Sequence, residues 1–381
     1  MKNVLFDGTA MQGNSSTVFH GGAEYAKFIF RESIKRGYKF DLVINDNLIM
    51  DESILRIILD YNINVFHVKS IREIYKLIDN SSYERFYSAL PYNYIDYKYK
   101  TQFVGVIHGL RAIELPWDSY KYKYYSNIFI AIVEKLINIL PCVQKFFIKR
   151  YKKEMDLLLK VENSKFITVS EHSKYALLSY FPNLQIENIE VFYSPFAICN
   201  KSKCVKEKYF LMVSGNRFEK NVCRAIEVFD ELFLEQRCND YKVIITGCGN
   251  QPFFKKIKNK DKFILKPYVI SEELEDLYSK AFCFVYPSLN EGFGYPPLKA
   301  MGYEVPVIAS AATSIPEVCG DAALYFTPLD KGELKNRILQ ILNNSNLVHS
   351  LIMKGKRRVN ELIAKQESEI ENELNWIFDH E

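Results

Sequence analysis

The stretch from residue 281 to residue 310 restricts the fold more than any other part of the chain. The apolar run Ala281-Phe282-Cys283-Phe284-Val285-Tyr286 leads into the turn Glu291-Gly292-Phe293-Gly294, then into Leu298-Lys299-Ala300-Met301, then into a second apolar run, Val305-Pro306-Val307-Ile308-Ala309-Ser310. Continuous short apolar runs read as strands buried on both faces, the pattern of a parallel sheet, and the piece between them as turn and helix. That order places Glu291 and a Gly-x-Gly turn where a strand's carboxyl end feeds a helix, the position at which open α/β sheets bind ligands. Gly292 and Gly294 let backbone approach a ligand closely, and N–H groups at a helix start favour an anion. Pro296 and Pro297 fall in the first helical turn, whose amides lack intrahelical partners in any case.

The same alternation runs through the rest of the chain. Val4-Leu5-Phe6, Leu42-Val43-Ile44, Val65-Phe66-His67-Val68, Phe86-Tyr87-Ser88-Ala89-Leu90, Phe103-Val104-Gly105-Val106-Ile107 and Lys165-Phe166-Ile167-Thr168-Val169 read as strands separated by helical stretches. A second series starts at Tyr209-Phe210-Leu211-Met212-Val213, after the polar run 200–208, which reads as a linker. A chain of 381 residues has room for two such doubly wound parallel sheets. With 48% hydrophobic and 25% charged residues the composition is that of a soluble globular protein, and a net charge of +4 gives no reason to expect nucleic acid. The eight cysteines form no Cys-x-x-Cys pair and read as reduced residues of a cytosolic protein. Met1-Lys2-Asn3 passes straight into a strand, so no signal peptide is expected, and no apolar run approaches the length of a membrane span.

Several residues outside the 281–310 stretch carry chemistry. Gly21 and Gly22 open a helix and can seat a phosphate on bare backbone N–H groups. His108 stands at the carboxyl end of the strand 103–107, and Arg111, Glu114 and Asp118 beyond it are candidates to face an acceptor. Arg217 and Lys220 follow the strand 209–213 at a helix start, a place unfavourable for cations unless an anion is bound there. Val243-Ile244-Ile245-Thr246-Gly247-Cys248-Gly249 imitates a dinucleotide fingerprint, but Pro252 stands where the third glycine is needed, which disfavours a dehydrogenase. Between residues 120 and 160 lysines outnumber acids and flank apolar, aromatic-rich helix such as Ile128-Phe129-Ile130-Ala131-Ile132-Val133. That composition reads as a peripheral membrane segment drawn to anionic lipid, the alternative being an amphipathic helix packed on the N-terminal sheet with a solvated basic face.

The long pattern Pro287-Ser288-x-x-Glu291-Gly292-Phe293-Gly294-x-Pro296-Pro297-Leu298-x-Ala300-Met301, with Val305–Ser310 and Ile315-Pro316-Glu317-Val318-x-Gly320-Asp321-Ala322-Ala323, resembles the donor-binding core of family-4 glycosyltransferases. The resemblance implies a GT-B fold: two Rossmann-like domains facing a cleft, 1–199 on the acceptor side (with the basic segment 120–160) and 200–365 on the nucleotide-sugar side. It also implies a last helix, 366–381, that returns to the first domain, with Glu369–Phe378 as its core. The implied activity is retaining and metal-independent transfer of a sugar, without a cofactor. The chain has no Asp-x-Asp of the kind that holds metal in the other main glycosyltransferase fold.

By that resemblance Glu291 orients the donor sugar and His108 contacts it. Lys220 and Arg217 meet the diphosphate, with the Gly21–Gly22 and Gly292–Gly294 backbone and Phe293 around it, and Tyr268 or Val269 lines the base. The acceptor implied is a surface polysaccharide such as O-antigen or a polyprenyl-linked oligosaccharide, at the inner face of the cytoplasmic membrane. One position departs. The family has a second glutamate, seven residues intervening, that accepts from the ribose hydroxyls; here it is Lys299, which can only donate. That favours a dTDP-sugar over a GDP- or UDP-sugar, with Lys299 near the 3′-oxygen or a phosphate. The competing reading is a catalytically impaired GT-B scaffold subunit of a membrane glycan-assembly complex.

Overall fold

The computed structural model describes residues 3–13, 21–98, 100–196, 204–249 and 251–378. They form two compact units, one of Met1–Leu110, Arg150–Pro195 and Lys365–Glu381, the other of Arg111–Lys149 and Phe196–Ala364.

The first unit holds seven strands: β1 (Val4–Asp7), β2 (Asp41–Asn45), β3 (Val65–Val68), β4 (Arg85–Ser88), β5 (Gln102–Ile107), β6 (Ser164–Thr168) and β7 (Ile189–Val191). Their order is β3-β2-β1-β4-β5-β6-β7, all parallel. The strand order reverses beside β1, so the carboxyl ends of β1 and β4 mark the crevice where such sheets take ligands. Phe6, Phe30, Phe86, Phe103 and Phe166 are all fully buried in this unit. Each such side chain stabilises the folded state by about 1.5–3 kcal/mol through burial alone.

The long helix Ser345–Phe378 starts in the second unit and ends in the first. Its last turns are fastened to the first unit's sheet. The buried Arg85 of β4 donates to the carbonyls of Trp376 and Ile377 at 2.7 and 3.1 Å, and Tyr38 donates to Glu371 and Asn375, each at 2.8 Å. An arginine at those final carbonyls satisfies acceptors that no longer have helical partners. This is the returning helix expected from the sequence.

The second unit holds β8 (Tyr209–Met212), β9 (Lys242–Ile245), β10 (Phe263–Leu265), β11 (Cys283–Tyr286), β12 (Val307–Ser310) and β13 (Ala323–Phe326). Their order is β10-β9-β8-β11-β12-β13, again all parallel. Here the order reverses between β8 and β11. The loops that leave those two strands carry Arg217–Asn221 and Ser288–Gly294, so the topology itself brings the two motifs together.

The segment 111–149 departs from the expected organisation, which put residues 120–160 in the N-terminal domain. Residues 111–149 belong to the second unit, and only from Arg150 does the chain rejoin the first. Asp118 and Arg224 form a buried ion pair at 2.6 Å, and the Arg224 guanidinium lies 3.8 Å from the centre of the Tyr120 ring. Tyr120 and Lys123 both donate to Glu227, at 2.7 and 2.6 Å. Asp118 is therefore spent on this anchorage and is not presented to an acceptor. The expected boundary at residues 199–200, and the first part of the linker 200–208, lie outside the described residues.

Candidate active site

The chemistry-bearing residues of the second unit cluster at the carboxyl ends of β8 and β11. After β8 a short 3-10 turn, Phe218–Lys220, ends at Asn221, whose backbone is left-handed with φ of 56°. That conformation is uncommon for a side chain other than glycine but best tolerated by asparagine. Asn221 uses it to donate to the carbonyls of Pro287 and Pro328, at 3.1 and 2.7 Å, which ties the loop to its two neighbours. Lys220, one residue earlier, is thereby turned into the sheet end and is buried.

Its ammonium lies 2.6 Å from Glu291 and 3.2 Å from the Tyr286 hydroxyl. The Ser288 hydroxyl donates to the same Glu291 oxygen that Lys220 meets. The Glu291 backbone is pinned as well: its N–H donates to Thr313 Oγ1 at 2.9 Å, and its carbonyl accepts from Thr313 and Ser314. Burial pushes the Glu291 carboxyl up, but the Lys220 ammonium and the hydroxyls of Ser288 and Tyr286 outweigh it, so the group sits below the usual carboxylate range. An ionised, almost fully enclosed carboxylate is thus held in one orientation by a cation and two hydroxyls.

The turn after Glu291 has the geometry its glycines allow. Gly294 sits at φ of +110°, where a side chain would be strained, and the helix Tyr295–Gly302 starts directly after it with prolines in its first turn. Phe293 is buried, and Ser314 donates to its carbonyl at 2.8 Å. Gly292, Phe293 and Gly294 therefore lie in one fixed turn beside the Lys220–Glu291 pair.

The remaining expected residues of this unit are placed differently from one another. Arg217 stands beside Lys220 but turns to Glu219, to which its Nε donates at 2.8 Å; Arg111 reaches the same carboxylate at 3.0 Å. Burial raises the Glu219 carboxyl, and the two arginines pull it below its ordinary value. Lys299 lies 3.8 Å from Glu275 and 5.6 Å from the centre of the Tyr278 ring, both on the helix Ser271–Lys280. Tyr268 is 75% exposed just after β10, with Val269 half-buried next to it.

In the first unit the structure brings Gly22 and His108 together. A Cβ built on Gly22 would lie 2.7 Å from the Leu90 side chain and at ordinary contact distance, 3.6 Å, from His108 Nε2, which places the start of the helix Gly21–Lys35 beside the histidine. His108 follows β5, its Nε2 is 2.9 Å from the Ala89 carbonyl, and its ring meets Tyr25 edge-on at 5.2 Å. A carbonyl only accepts, so this contact assigns the proton to Nε2.

Sequence reasoning missed Tyr286, Ser288, Thr313, Ser314, Glu219 and Glu275. Tyr286 and Ser288 stand in the strand-to-turn stretch and were legible there as neighbours of Glu291. Glu219 stands between Arg217 and Lys220, Thr313 and Ser314 come directly before the Ile315-Pro316-Glu317 run, and Glu275 is made conspicuous only by its distance to Lys299.

Comparison with known proteins follows the same division. Residues 198–358 match the family described as glycosyl transferases group 1. The O-antigen chain mannosyltransferase B of Escherichia coli is 49% identical over 155 residues, 39% of this chain and 40% of the relative. The O-antigen chain mannosyltransferase RfbU of Salmonella typhimurium is 33% identical over 189 residues, 46% of this chain and 50% of the relative. The chain thus spans about half the length of the curated relatives it matches. In fold it is similar to the sucrose-phosphate synthase from Thermosynechococcus elongatus, with a TM-score of 0.66 at 13% identity, over 98% of this chain and 99% of that one. The fold is GT-B, and residues 198–358 are similar to the glycosyl transferases group 1 family.

Proposed function

We propose that this chain is a retaining glycosyltransferase that moves a mannosyl group from a nucleoside diphosphate donor onto a growing O-antigen-type glycan. The observation that carries the reading is the enclosed Lys220–Glu291 pair on the loops after β8 and β11. Glu291 is held ionised where it can take hydrogen bonds from sugar hydroxyls and steady positive charge that builds at the anomeric carbon. Lys220, with the backbone of the Gly292–Gly294 turn and Arg217, meets the negative charge that builds on the leaving diphosphate. Gly21–Gly22 and His108 are gathered beside one another within the first unit. The bond from the anomeric carbon to the diphosphate oxygen breaks, the acceptor hydroxyl oxygen bonds to the same face, and its proton passes to the departing phosphate. The products are the lengthened glycan and the nucleoside diphosphate. Neither metal nor cofactor is needed by this reading. The mannosyl assignment rests on the two O-antigen mannosyltransferase relatives.

For the nucleotide, lysine at position 299 argues for a deoxyribose, as in a dTDP-sugar, because no acceptor replaces the expected glutamate. Glu275, 3.8 Å from the Lys299 ammonium, brings a carboxylate back to that neighbourhood. We therefore favour a ribose nucleotide, GDP or UDP. A lipid-linked acceptor would bring the protein to the inner face of the cytoplasmic membrane.

Purified protein should hydrolyse or transfer from a mannosyl donor in the presence of a chelator, and Glu291→Ala should abolish that turnover. A chain that binds no nucleotide sugar and turns none over is a scaffold, and the proposal fails. Calorimetric titration with GDP, UDP and dTDP ranks the donors; tightest binding of dTDP would restore the deoxyribose reading.

A further inference from the structure

The helix Ile128–Ile139 is built inside out. Its one buried residue is Asn138, while Ile128 and Phe129 are 78% and 72% exposed and Leu136 and Ile139 are more than half exposed. Glu134 and Asn138 are the polar side chains turned inward, while Lys135 is exposed. Glu134 pairs with Lys121 at 3.0 Å and accepts from Tyr125 at 3.1 Å, and Asn138 donates to the Glu134 carbonyl at 2.7 Å. The next helix, Pro141–Leu159, continues the surface with Phe146 and Phe147. Water would drive the opposite arrangement, and a patch of this kind marks a surface that is covered in use.

Charge identifies the cover. From residue 128 to residue 153 the chain has Lys135, Lys145, Lys149, Arg150, Lys152 and Lys153 against the single acid Glu134. Among the described residues no helix is long and apolar enough to cross a membrane. Apolar side chains with a fringe of cations on helices too short to span fit a bilayer interface rich in anionic lipid, where the apolar face sinks to the headgroup boundary.

We propose that the segment 128–149 is a docking surface for an anionic membrane, and that it is fastened to the loop bearing Lys220. The fastening is the strap 118–124. Besides the Asp118–Arg224 pair, the Tyr124 hydroxyl accepts from the Cys223 N–H at 3.2 Å, and the Tyr124 ring packs on Phe253 and on Phe218, two residues before Lys220. The apolar face thus belongs to the unit that carries the group 1 motifs, while Arg150, Lys152 and Lys153 of its basic fringe lie where the chain re-enters the first unit. The docking itself is independent of the glycosyltransferase reading; only the importance given to the Lys220 loop rests on it.

The test is sedimentation of the full chain with vesicles of phosphatidylcholine containing phosphatidylglycerol, and with phosphatidylcholine alone. The protein should pellet with the anionic vesicles and release as salt rises. The variant Phe129→Ser/Leu136→Ser/Phe146→Ser should bind at least tenfold less while keeping its donor turnover in solution. Unchanged binding by that variant, or no binding by the parent, overturns the docking surface. So does a parent that is dimeric in solution and becomes monomeric in the variant, because the face would then close on a second copy. Vesicles should also slow amide exchange at residues 217–224 of the parent; protection confined to 128–149 overturns the fastening. Turnover on a soluble acceptor, measured separately, tells failure of docking from failure of the enzymatic reading.

Discussion

Two buried glutamates, one in each unit, have opposite electrostatic fates. Glu291 and Glu373 are 8% and 4% exposed, so both pay nearly the full cost of desolvation. Glu291 has a lysine 2.6 Å away and is held below the usual carboxylate range, burial being outweighed by Lys220, Ser288 and Tyr286. Glu373 receives a hydrogen bond from the Tyr25 hydroxyl, and among the described residues no cation pairs with it. Burial pushes its carboxyl up to about 8, with the Tyr25 hydrogen bond opposing and nearby Glu369 adding to the rise. Burial alone therefore does not decide the charge of a carboxyl; the partner does. Packing would be served as well by a neutral pair of similar shape at 220 and 291, since a buried ion pair is poor stabilisation. The retained charges at a strand-end crevice argue for use on a ligand.

The largest expected effect comes from making Glu291 resemble Glu373. Lys220→Met removes the cation and leaves the carboxylate enclosed, so its carboxyl should rise. Donor turnover should fall roughly 100–1000-fold, as when a preorganised charge-stabilising donor is lost. Denaturant unfolding should show a loss of up to about 3–5 kcal/mol, the range for a buried pair broken from one side. A variant that turns over donor within tenfold of the parent would mean that the pair is packing and the comparison is misread.

The contrast also separates what a sequence can and cannot display. Glu291, its glycine turn and Lys220-Asn221 were legible because each lies in a contiguous run whose strand-to-helix context is local. The pairing of Lys220 with Glu291 followed from topology, since the two loops leave β8 and β11, adjacent in the sheet. Glu373 gave no signal: its partner Tyr25 stands 348 residues away, and nothing local distinguishes it from the acids around it on the last helix. Residues 120–149 were legible in composition but not in allegiance. Their basic and apolar character was plain, yet their place in the second unit depends on Asp118, Tyr120 and Lys123 meeting Arg224 and Glu227, long-range pairs that no periodicity announces. Lys299 is the intermediate case. Its departure from the motif was visible, whereas Glu275 beside it needed coordinates.

The next effect is a pH dependence, and its sign differs between the two acids. Glu373 has a folded pKa of about 8 against 4.5 for the ordinary group, so the folded state keeps a proton that the unfolded chain has lost in that interval. Its contribution is complete below 4.5 and is lost as pH climbs toward 8. Glu373→Gln removes this term. Its melting temperature relative to the parent should therefore improve steadily from about pH 5 to about pH 8 and then level off. Glu291 runs the other way: its carboxyl is depressed, so its contribution is present above the ordinary carboxylate pKa and is lost on acidification below about pH 4.5. If Glu373→Gln tracked the parent at every pH, Glu373 would be ionised in the folded protein and the contrast with Glu291 would vanish.

The smallest change sharpens the comparison at a single hydroxyl. Tyr286 ends β11, accepts from Lys220 at 3.2 Å and is hydrogen-bonded to Glu291, so it bridges the two charges without carrying one. In Tyr286→Phe the ammonium and the carboxylate remain 2.6 Å apart in the starting geometry, and only the shared hydroxyl is lost. A hydrogen bond to a charged group contributes about 1.5–3 kcal/mol, which corresponds to a drop in donor turnover of at most about 12- to 160-fold. Glu291 should stay ionised, because Lys220 is a stronger influence on it than the phenol. The acid limb of the pH–rate profile should then keep its position while the plateau drops. A shift of that limb toward neutral pH would show that the hydroxyl, and not the lysine, keeps this carboxylate different from Glu373.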